Sequence, residues 1–270
     1  MVRAAARLSP DDRGFLFGDG VYEVVRFYGG RPFALDAHVA RLGRSLRALR
    51  IEGFEATAFA EIARRLAQEN GLADGTCYLQ VTRGAAPRRH AFPAPGTPPT
   101  VYACTYPLSA APERWARGVG VHLVPDERWA RCDVKSTALL ANVLANQAAQ
   151  EAGAEEAVFV RDGLVTEGSH TNVAAVFGGR VVTHPEGPRI LSGVTRAVVL
   201  RLCAELGVPV EERPVPAADL ARADEVLLTS TTSEVLPVVA ADGRPVGAGA
   251  PGPVTRALLD AFRAHVGRSL

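Results

Sequence analysis

The sequence keeps a single lysine, Lys135, among its 30 lysine and arginine residues. Arginine supplies charge and hydrogen bonds as lysine does, but its guanidinium stays protonated and cannot condense with an aldehyde. A lysine amine can lose its proton and attack a carbonyl carbon. One lysine retained in an arginine-rich chain therefore indicates Schiff-base chemistry at Lys135, and a chance surface lysine is the alternative.

Schiff-base chemistry on amino acids requires an electron sink, which pyridoxal phosphate provides. The protein must then supply the lysine, an acid beside the ring nitrogen and an anion site for the phosphate. Glu167, in a predicted tight polar turn between two strands, is the candidate acid. A carboxylate there could keep the pyridine nitrogen protonated, and a solvated turn glutamate is the alternative.

The candidate phosphate site is the helix predicted to open at Val194 and Thr195, directly after Gly193. The first turn of a helix presents free backbone N–H groups and the positive end of the helix dipole, so it attracts anions. Arg41 and the hydroxyl run Ser230-Thr231-Thr232-Ser233 could complete the cradle through charge-assisted hydrogen bonds. Each feature alone is also common as a plain helix start or strand end.

The composition fits a globular protein that acts on small molecules. The chain has 270 residues and a formal net charge of +1, which gives no electrostatic basis for binding nucleic acid or an anionic membrane. No apolar run is long enough to cross a bilayer, and the N-terminus lacks the apolar core of a signal peptide, so we expect a cytoplasmic protein. The four cysteines lack CxxC spacing, which argues against a metal site or a disulfide framework.

The order of the predicted elements indicates an α/β (α+β) chain of two domains. Residues 1–112 are predicted to form a smaller N-terminal α/β domain, residues 113–120 a linker of loop composition, and residues 121–270 a larger C-terminal α/β domain. The glycine-rich segment 14–20 is predicted to be a loop, and so is the charged segment 84–99.

Hydrophobic periodicity gives the individual elements. Alternating or β-branched runs predict strands at 21–28, 76–83, 100–106, 119–124, 156–161, 173–177, 180–183, 208–213, 225–230 and 235–240. Helical spacing predicts a helix capped by Asp36 and helices over 56–70, 137–152, 196–206 and 253–266. In the helix at 137–152, the apolar face consists of Leu140, Val143, Leu144 and Ala148.

Seven stretches, taken in order, carry a family resemblance. They are Phe17-Gly18-Asp19-Gly20-Val21-Tyr22-Glu23, His38 with Arg41-Leu42, Arg88-Arg89-His90, Cys132-Asp133-Val134-Lys135-Ser136, Thr166-Glu167-Gly168-Ser169 with Asn172, Gly193-Val194-Thr195-Arg196, and Thr229-Ser230-Thr231-Thr232-Ser233-Glu234. Together they resemble the fold-type IV pyridoxal-phosphate transaminases, most closely the D-amino acid (D-alanine) transaminases. The resemblance covers nearly the whole chain and implies a C-terminal domain that binds the cofactor on a pseudo-barrel sheet.

The resemblance also implies roles for the candidate residues. Lys135 would form the Schiff base and shuttle the proton, and Glu167 would pair with the ring nitrogen. The phosphate would be held by Arg41, Val194, Thr195, Ser230 and Thr231, with Leu191 packed beneath the ring. Tyr22, Arg88 and His90 would receive the substrate carboxylate.

Two further expectations follow from the resemblance. Arg88 and His90 would reach over from the second subunit, so that a homodimer is the minimal active form.

Two features depart from the family pattern. About thirteen residues precede Gly14, where an extra strand or two is usual, and His170 stands where small serines are typical.

The predicted activity is amino transfer between a D-amino acid, such as D-alanine or D-glutamate, and a 2-oxo acid. One alternative is a lyase of the same fold that resembles aminodeoxychorismate lyase, against which the Arg88 and His90 pair argues. A branched-chain L-transaminase is another, but Leu140 stands where that group typically has a tyrosine. A non-catalytic protein that binds a phosphorylated ligand at the Thr195 helix start would leave Lys135 unexplained.

The first testable prediction concerns Lys135. Lys135→Arg should keep the charge but abolish Schiff-base formation, because a guanidinium is neither the nucleophile nor the proton shuttle. Borohydride reduction followed by peptide mass spectrometry should find the cofactor attached to the peptide that contains Lys135 in the wild type and to no peptide in the variant. A label on any other peptide would contradict the assignment.

Overall fold

A computed structural model describes residues 3–109 and 111–269, and these residues form two compact units. The first unit contains residues 3–109 together with Val134–Leu139, and the second contains residues 111–133 together with Leu140–Ser269. No helix within the described residues has the length and apolar character needed to span a membrane.

The first unit is an antiparallel sheet with helices packed on it. After a 3-10 turn at Arg3–Ala5, its elements in chain order are α1 (Arg13–Phe17), β1 (Gly20–Tyr28), β2 (Arg31–Pro32), α2 (Leu35–Leu49), α3 (Ala58–Glu69), β3 (Gly75–Thr82) and β4 (Thr100–Pro107). The sheet order is β2-β1-β3-β4, and the two-residue turn at Gly29 and Gly30 closes the β1–β2 hairpin.

Strand β1 explains how the core of this unit is assembled. Its side chains alternate between two faces, and Val21, Glu23, Val25 and Phe27 all lie on the buried face. The apolar faces of α2 and α3 cover these residues, with Leu42 of α2 completely buried. Burying such a leucine contributes about 2 kcal/mol. The same alternation places the carboxylate of Glu23 inside an otherwise apolar layer.

The second unit is built on one large sheet. Its first elements are α4 (Pro112–Arg117), β5 (Val119–Pro125), α5 (Leu140–Glu151), β6 (Glu156–Arg161), β7 (Leu164–Gly168), β8 (Asn172–Phe177) and β9 (Arg180–Thr183). They are followed by α6 (Val194–Glu205), β10 (Val210–Glu212), β11 (Val215–Pro216), a 3-10 helix at Ala217–Arg222, β12 (Glu225–Ser230), β13 (Glu234–Ala241), β14 (Arg244–Pro245) and α7 (Pro253–Ser269).

The connectivity of this sheet requires it to curl. Its strand order is β10-β9-β8-β12-β13-β5-β6-β7-β11, with β14 beside β13, so four strands separate β7 from β8. In a flat sheet those five interstrand spacings would span about 24 Å. Only residues 169–171 join β7 to β8, and a connection of that length reaches about 14 Å. The sheet therefore bends into an open barrel, which confirms the predicted pseudo-barrel and the mixed α/β class.

Three local predictions are wrong. Segment 14–20 is not entirely loop, because Asp12 caps the short helix α1 by accepting a hydrogen bond from the Gly14 amide. Residues 113–117 of the predicted linker are not loop but belong to α4, which buries Trp115 and lets its indole donate to the Ser233 carbonyl at 2.9 Å. Asp36 lies in the first turn of α2 and does not cap it, because the N-cap position is Ala34.

The segment around Lys135 also differs from its predicted form. The helix expected over 137–152 begins only at Leu140, and Val134–Leu139, which includes Lys135, belongs to the first unit. Leu140 is 72% exposed, and Val143 and Leu144 are also exposed. Of the apolar face predicted for this helix, only Ala148 packs against the core of the second unit. The domain limits at 112 and 121 stay a prediction.

The second unit yields a stability prediction at the start of α7. The buried carboxylate of Glu225 accepts hydrogen bonds from the amides of Val254 and Thr255 at 2.9 and 2.7 Å, which caps the helix from a distant strand. Glu225→Ala should cost about 1–3 kcal/mol in the free energy of unfolding, because two first-turn amides lose their acceptor. Urea denaturation measures this loss, and Asp260→Ala, at an exposed position of α7, is the matched control. An equal effect of both variants would contradict the capping role.

Candidate active site

Lys135 is fixed in the first unit by its own backbone. Its N–H donates to the Ser45 hydroxyl of α2 at 3.2 Å, and its carbonyl accepts from the Tyr22 amide of β1 at 3.0 Å. The next residue, Ser136, pairs with Val21 as an antiparallel bridge. The Lys135 ammonium lies 4.3 Å from the centroid of the Tyr22 ring. The structure thus brings together Tyr22 and Lys135, two of the predicted site residues.

Arg41 belongs to a fully buried cluster on α2 and β1. Its Nε and Nη2 donate to the two oxygens of Glu23 at 2.7 and 2.9 Å, and His38 Nδ1 lies 2.9 Å from the same carboxylate. Burial would raise the pKa of Glu23, but the charge and hydrogen bonds of Arg41 and the contact with His38 hold it well below its ordinary value. Glu23 was not among the predicted site residues, although its position in the buried alternation of β1 could have identified it.

His38 is kept neutral by its surroundings. Burial lowers its pKa most, and the charges of Arg41 and Lys135 act in the same direction against the opposing effect of Glu23. A neutral imidazole can donate its Nδ1 proton to the Glu23 carboxylate, which fixes the tautomer. The cluster therefore combines one cation and one anion, so Arg41 is held rigidly while its charge is balanced.

Arg88 and His90 lie on the exposed loop between β3 and β4. The Arg88 guanidinium is 5.3 Å from the centroid of the Phe17 ring, and the His90 ring is 5.5 Å from it. Phe17, at the end of α1, thus gathers the two predicted carboxylate ligands. Tyr22 instead stacks on Tyr78, with 5.6 Å between the ring centroids.

Glu167 lies on strand β7 and is buried, so the prediction of a turn at this position is wrong. Its Oε1 accepts from Arg128 Nη1 at 2.5 Å, and its Oε2 accepts from the Asn172 amide and the Leu191 N–H at 2.9 Å each. A guanidinium, a side-chain amide and a backbone N–H thus hold this carboxylate in one orientation.

Arg128, which the sequence analysis missed, links Glu167 to a second acid. Its guanidinium also makes two hydrogen bonds of 2.9 Å to Asp126, whose side chain is completely buried and which Arg161 contacts at 3.0 Å. Burial would raise the pKa of Asp126, but its bonds to Arg128 and the charge of Arg161 lower it overall. Asp126 and Arg128 come directly after the partly buried strand β5. An acid and an arginine at the end of a strand were the sequence feature that could have identified this pair.

The helix start predicted to bind phosphate has the expected form in the second unit. Gly193 is the N-cap of α6, and no side chain within the described residues caps this helix. A Cβ at Gly193 would lie 1.9 Å from Asn172 Oδ1, so the close approach requires glycine. Val194 and Thr195 are buried in the first turn, which leaves backbone amides as anion donors.

The other predicted contacts of the second unit have defined places. The Leu191 carbonyl accepts from Asn172 at 2.9 Å, so one asparagine ties the Leu191 backbone to Glu167. Ser230 ends β12, and its hydroxyl accepts from the Ser233 amide at 3.0 Å in the turn before β13. Thr231, in that turn, is partly exposed. An ionised acid, an uncapped helix start and a hydroxyl turn are the donor and acceptor types that pyridoxal phosphate requires.

His170 is exposed over 53% of its side chain, but it is not free. Its Nδ1 lies 2.9 Å from the buried carboxylate of Glu156, which also accepts from the hydroxyls of Ser169 and Thr171 at 2.5 and 3.1 Å. Desolvation acts to lower the pKa of His170, but the hydrogen bond and charge of Glu156 raise it overall. The turn between β7 and β8 is therefore organised around Glu156.

Comparisons with known proteins show what the whole chain is similar to. The profile of the amino-transferase class IV family matches residues 20–241. The D-alanine aminotransferase of Bacillus licheniformis is 46% identical over 264 residues, which cover 97% of this chain and 93% of that protein. The branched-chain aminotransferase of Escherichia coli superposes with a TM-score of 0.90 at 26% identity, covering 98% of this chain and 91% of that one. The branched-chain aminotransferase of Thermoproteus uzoniensis, solved with norvaline, gives 0.86 at 25% identity, covering 98% and 91%.

A pH prediction follows from His170. Because its pKa is raised in the folded state, its stabilising effect is present below the ordinary histidine value of about 6.5 and is lost as the pH rises through the raised value. The pKa of Glu156 is lowered, so this acid stays ionised from pH 6 to pH 9. His170→Gln should therefore reduce the free energy of unfolding more at pH 6 than at pH 9 in urea denaturation.

Two other charges near His170 partly offset each other, because Glu155 raises its pKa and Arg114 lowers it. A double-mutant cycle isolates the pair. In a Glu156→Gln background, His170→Gln should no longer change the pH dependence. An unaltered pH dependence after His170→Gln in the wild type would contradict the assignment.

Proposed function

The chain belongs to the amino-transferase class IV family, and we propose that it exchanges the amino group between a D-amino acid and a 2-oxo acid with pyridoxal phosphate as cofactor. The similarity to D-alanine aminotransferase across 97% of the chain is the observation that carries this proposal. The gathering of Arg88 and His90 at Phe17 supports it, because two adjacent cationic or polar side chains can bind one carboxylate.

The cofactor fits the donors that the chain supplies. When bound, pyridoxal phosphate withdraws electrons from the α-carbon of the substrate and so makes its proton acidic. Glu167 would place a negative charge at the ring nitrogen, and the donors from Arg128, Asn172 and Leu191 keep this carboxylate oriented. Leu191 would also lie against the ring.

Each unit, taken by itself, offers candidate ligands for the phosphate. In the first unit, Arg41 supplies a cation that Glu23 fixes in place. In the second unit, the amides of Val194 and Thr195 open α6, and the turn with Ser230 and Thr231 adds hydroxyls. Anions are stabilised by such combinations of amides, hydroxyls and a guanidinium.

Lys135 would be the covalent attachment point and the proton carrier. Its backbone is bonded to Ser45 and Tyr22, so the side chain starts from a rigid position. Its amine would take the proton from the substrate α-carbon and deliver it to the cofactor carbon on the same face. Tyr22, Arg88 and His90 would hold the substrate carboxylate and so decide which enantiomer turns its hydrogen toward Lys135. We propose that Arg88 and His90 serve the neighbouring subunit of a homodimer.

The proposed function is tested by a half-reaction. The purified holoenzyme, mixed with single D- and L-amino acids without an oxo acid, should convert its cofactor spectrum to the aminated form with D-alanine and D-glutamate. The L enantiomers should react much more slowly. A preference for L-leucine or L-valine would instead identify a branched-chain enzyme, and pyruvate release without amination would identify a lyase.

Arg88→Ala tests the carboxylate contact and its subunit of origin. Loss of a charge-assisted hydrogen bond of about 1.5–3 kcal/mol should raise KM for D-alanine and D-glutamate roughly ten- to a hundredfold, with the resting cofactor spectrum unchanged. Mixed dimers of Arg88→Ala and Lys135→Ala chains should regain one working site per dimer. An absence of complementation would place Arg88 in the same subunit as the lysine that it serves.

A further inference from the structure

The segment just before α1 is paired with the base of the β3–β4 loop. The Arg13 amide donates to the Gly84 carbonyl at 2.9 Å, and the Ala86 amide donates to the Asp11 carbonyl at 3.2 Å. Asp12 forms an antiparallel bridge with Ala85 between these two bonds. Three consecutive residues of the segment therefore fix the point at which the chain enters the loop.

The exit of the loop is fixed at the same place. Gly84 has a φ of +91°, and a Cβ there would lie 2.0 Å from the Pro98 carbonyl oxygen. Only glycine combines this backbone conformation with so close an approach. The two ends of the loop, at residues 84 and 98, are thus in close contact, and the backbone between them needs other contacts to fix its conformation.

The Arg13 side chain supplies those contacts. It is only 3% exposed, and its Nη1 donates to the carbonyls of Arg89 and Ala91 at 2.6 and 3.2 Å. Its Nη2 donates to the carbonyl of His90 at 3.3 Å. One buried guanidinium thus binds three consecutive carbonyls, a pattern that a planar fork of five N–H donors can satisfy and a lysine ammonium cannot reproduce.

The guanidinium is itself anchored and balanced in charge. Arg13 Nε donates to Asp19 at 2.8 Å, and Arg83 binds the same carboxylate through Nε and Nη2 at 2.8 and 2.9 Å. The Arg13 guanidinium also lies 4.9 Å from the centroid of the Phe17 ring, the ring that contacts Arg88 and His90. Arg13 thus holds the loop backbone while its neighbour in α1 contacts the loop side chains.

We propose that Arg13 is a positioning residue that sets substrate affinity by holding the backbone of residues 89–91, so that Arg88 and His90 are presented for the substrate carboxylate. The inference rests on the proposed function, because it takes Arg88 and His90 to be the carboxylate ligands. Arg13 acts on the substrate only through these two residues, so its effect belongs to KM and not to the proton-transfer step.

The test compares Arg13→Gln and Arg13→Lys with the wild-type holoenzyme. Arg13→Gln should raise KM for D-alanine about tenfold or more and change kcat by less than about threefold, since the loop is displaced but Lys135 is not. Arg13→Lys keeps the charge near Asp19 and should raise KM by a smaller factor. A loss confined to kcat, or an unchanged KM in Arg13→Gln, would overturn the proposal.

A second measurement does not depend on activity. Arg88 and Arg89 are exposed trypsin sites, and Arg13 holds the carbonyls of Arg89 and His90, so cleavage at these sites should be several-fold faster in the Arg13→Gln holoenzyme. If the wild type fails the D-amino acid half-reaction but the cleavage rate rises, the proposed function is wrong and the holding of the loop stands. If catalysis is as proposed but cleavage is unchanged, Arg13 does not hold the loop.

Arg83→Lys is the matched control. It removes an equally buried guanidinium from the same Asp19 carboxylate, but the other donors of Arg83 serve the carbonyls of Leu49 and Arg50, outside the loop. Its contact with the Phe92 ring, 3.7 Å from the centroid, is one that a lysine can keep. KM should stay within about threefold of the wild type. An increase as large as that of Arg13→Lys would show that general loss of the buried ion pairs, and not positioning, causes the effect.

Discussion

Buried carboxylates neutralised by guanidinium groups are the interaction on which both units depend. An ionised carboxylate removed from water is stable only if cations and hydrogen-bond donors replace the lost hydration, and breaking such a pair costs about 3–5 kcal/mol. Glu23 with Arg41, Asp19 with Arg13 and Arg83, and Glu167 with Arg128 all follow this rule. Each set joins residues from different elements of the fold, so it fixes the position of a segment and also neutralises a buried charge.

The same pairs explain why the composition leaves one amine. A guanidinium binds a carboxylate through two parallel N–H groups and stays charged, which suits permanent buried pairs. Lys135 is placed differently, because its described side-chain contact is with the ring of Tyr22 and no carboxylate within the described residues forms an ion pair with it. A chain that uses arginine for every structural cation thereby separates the residues that hold the fold from the one that can react.

Residue type was enough to select much of the candidate site from the sequence, but not its supporting contacts. Lys135, Glu167 and the helix start at Val194 could be predicted because each has a chemical property that the proposed cofactor requires. Arg13 and Arg128 could not, because their partners are fixed by the path of a loop and by the end of a strand. For Glu23, burial could be predicted from the alternation of β1, but its partners on α2 could not.

The fold was predictable where periodicity is strong and unpredictable where tertiary contacts decide. Strands β6, β9 and β12 coincide with the predicted ranges, because runs of β-branched residues end there at charged or turn residues. The five residues of α1 contain one glycine and no helical repeat, and this helix depends on its cap at Asp12. Strand β7 pairs with β6 and β11, and these partners, which lie before and far after it in sequence, made the polar segment around Glu167 a strand.

The division of the chain into two units also divides the proposed work. Lys135, Tyr22, Arg88 and His90, which would act on the substrate, all belong to the first unit, because Val134–Leu139 leaves its sequence neighbours and pairs with β1. Glu167, Leu191 and the start of α6, which would hold the cofactor ring and phosphate, belong to the second unit. Arg41 is the residue of the first unit that the proposal assigns to the phosphate, and its charge is balanced by Glu23, which His38 also contacts. The six-residue segment that carries the lysine therefore places the proposed reactive group in the same unit as the loop with Arg88 and His90.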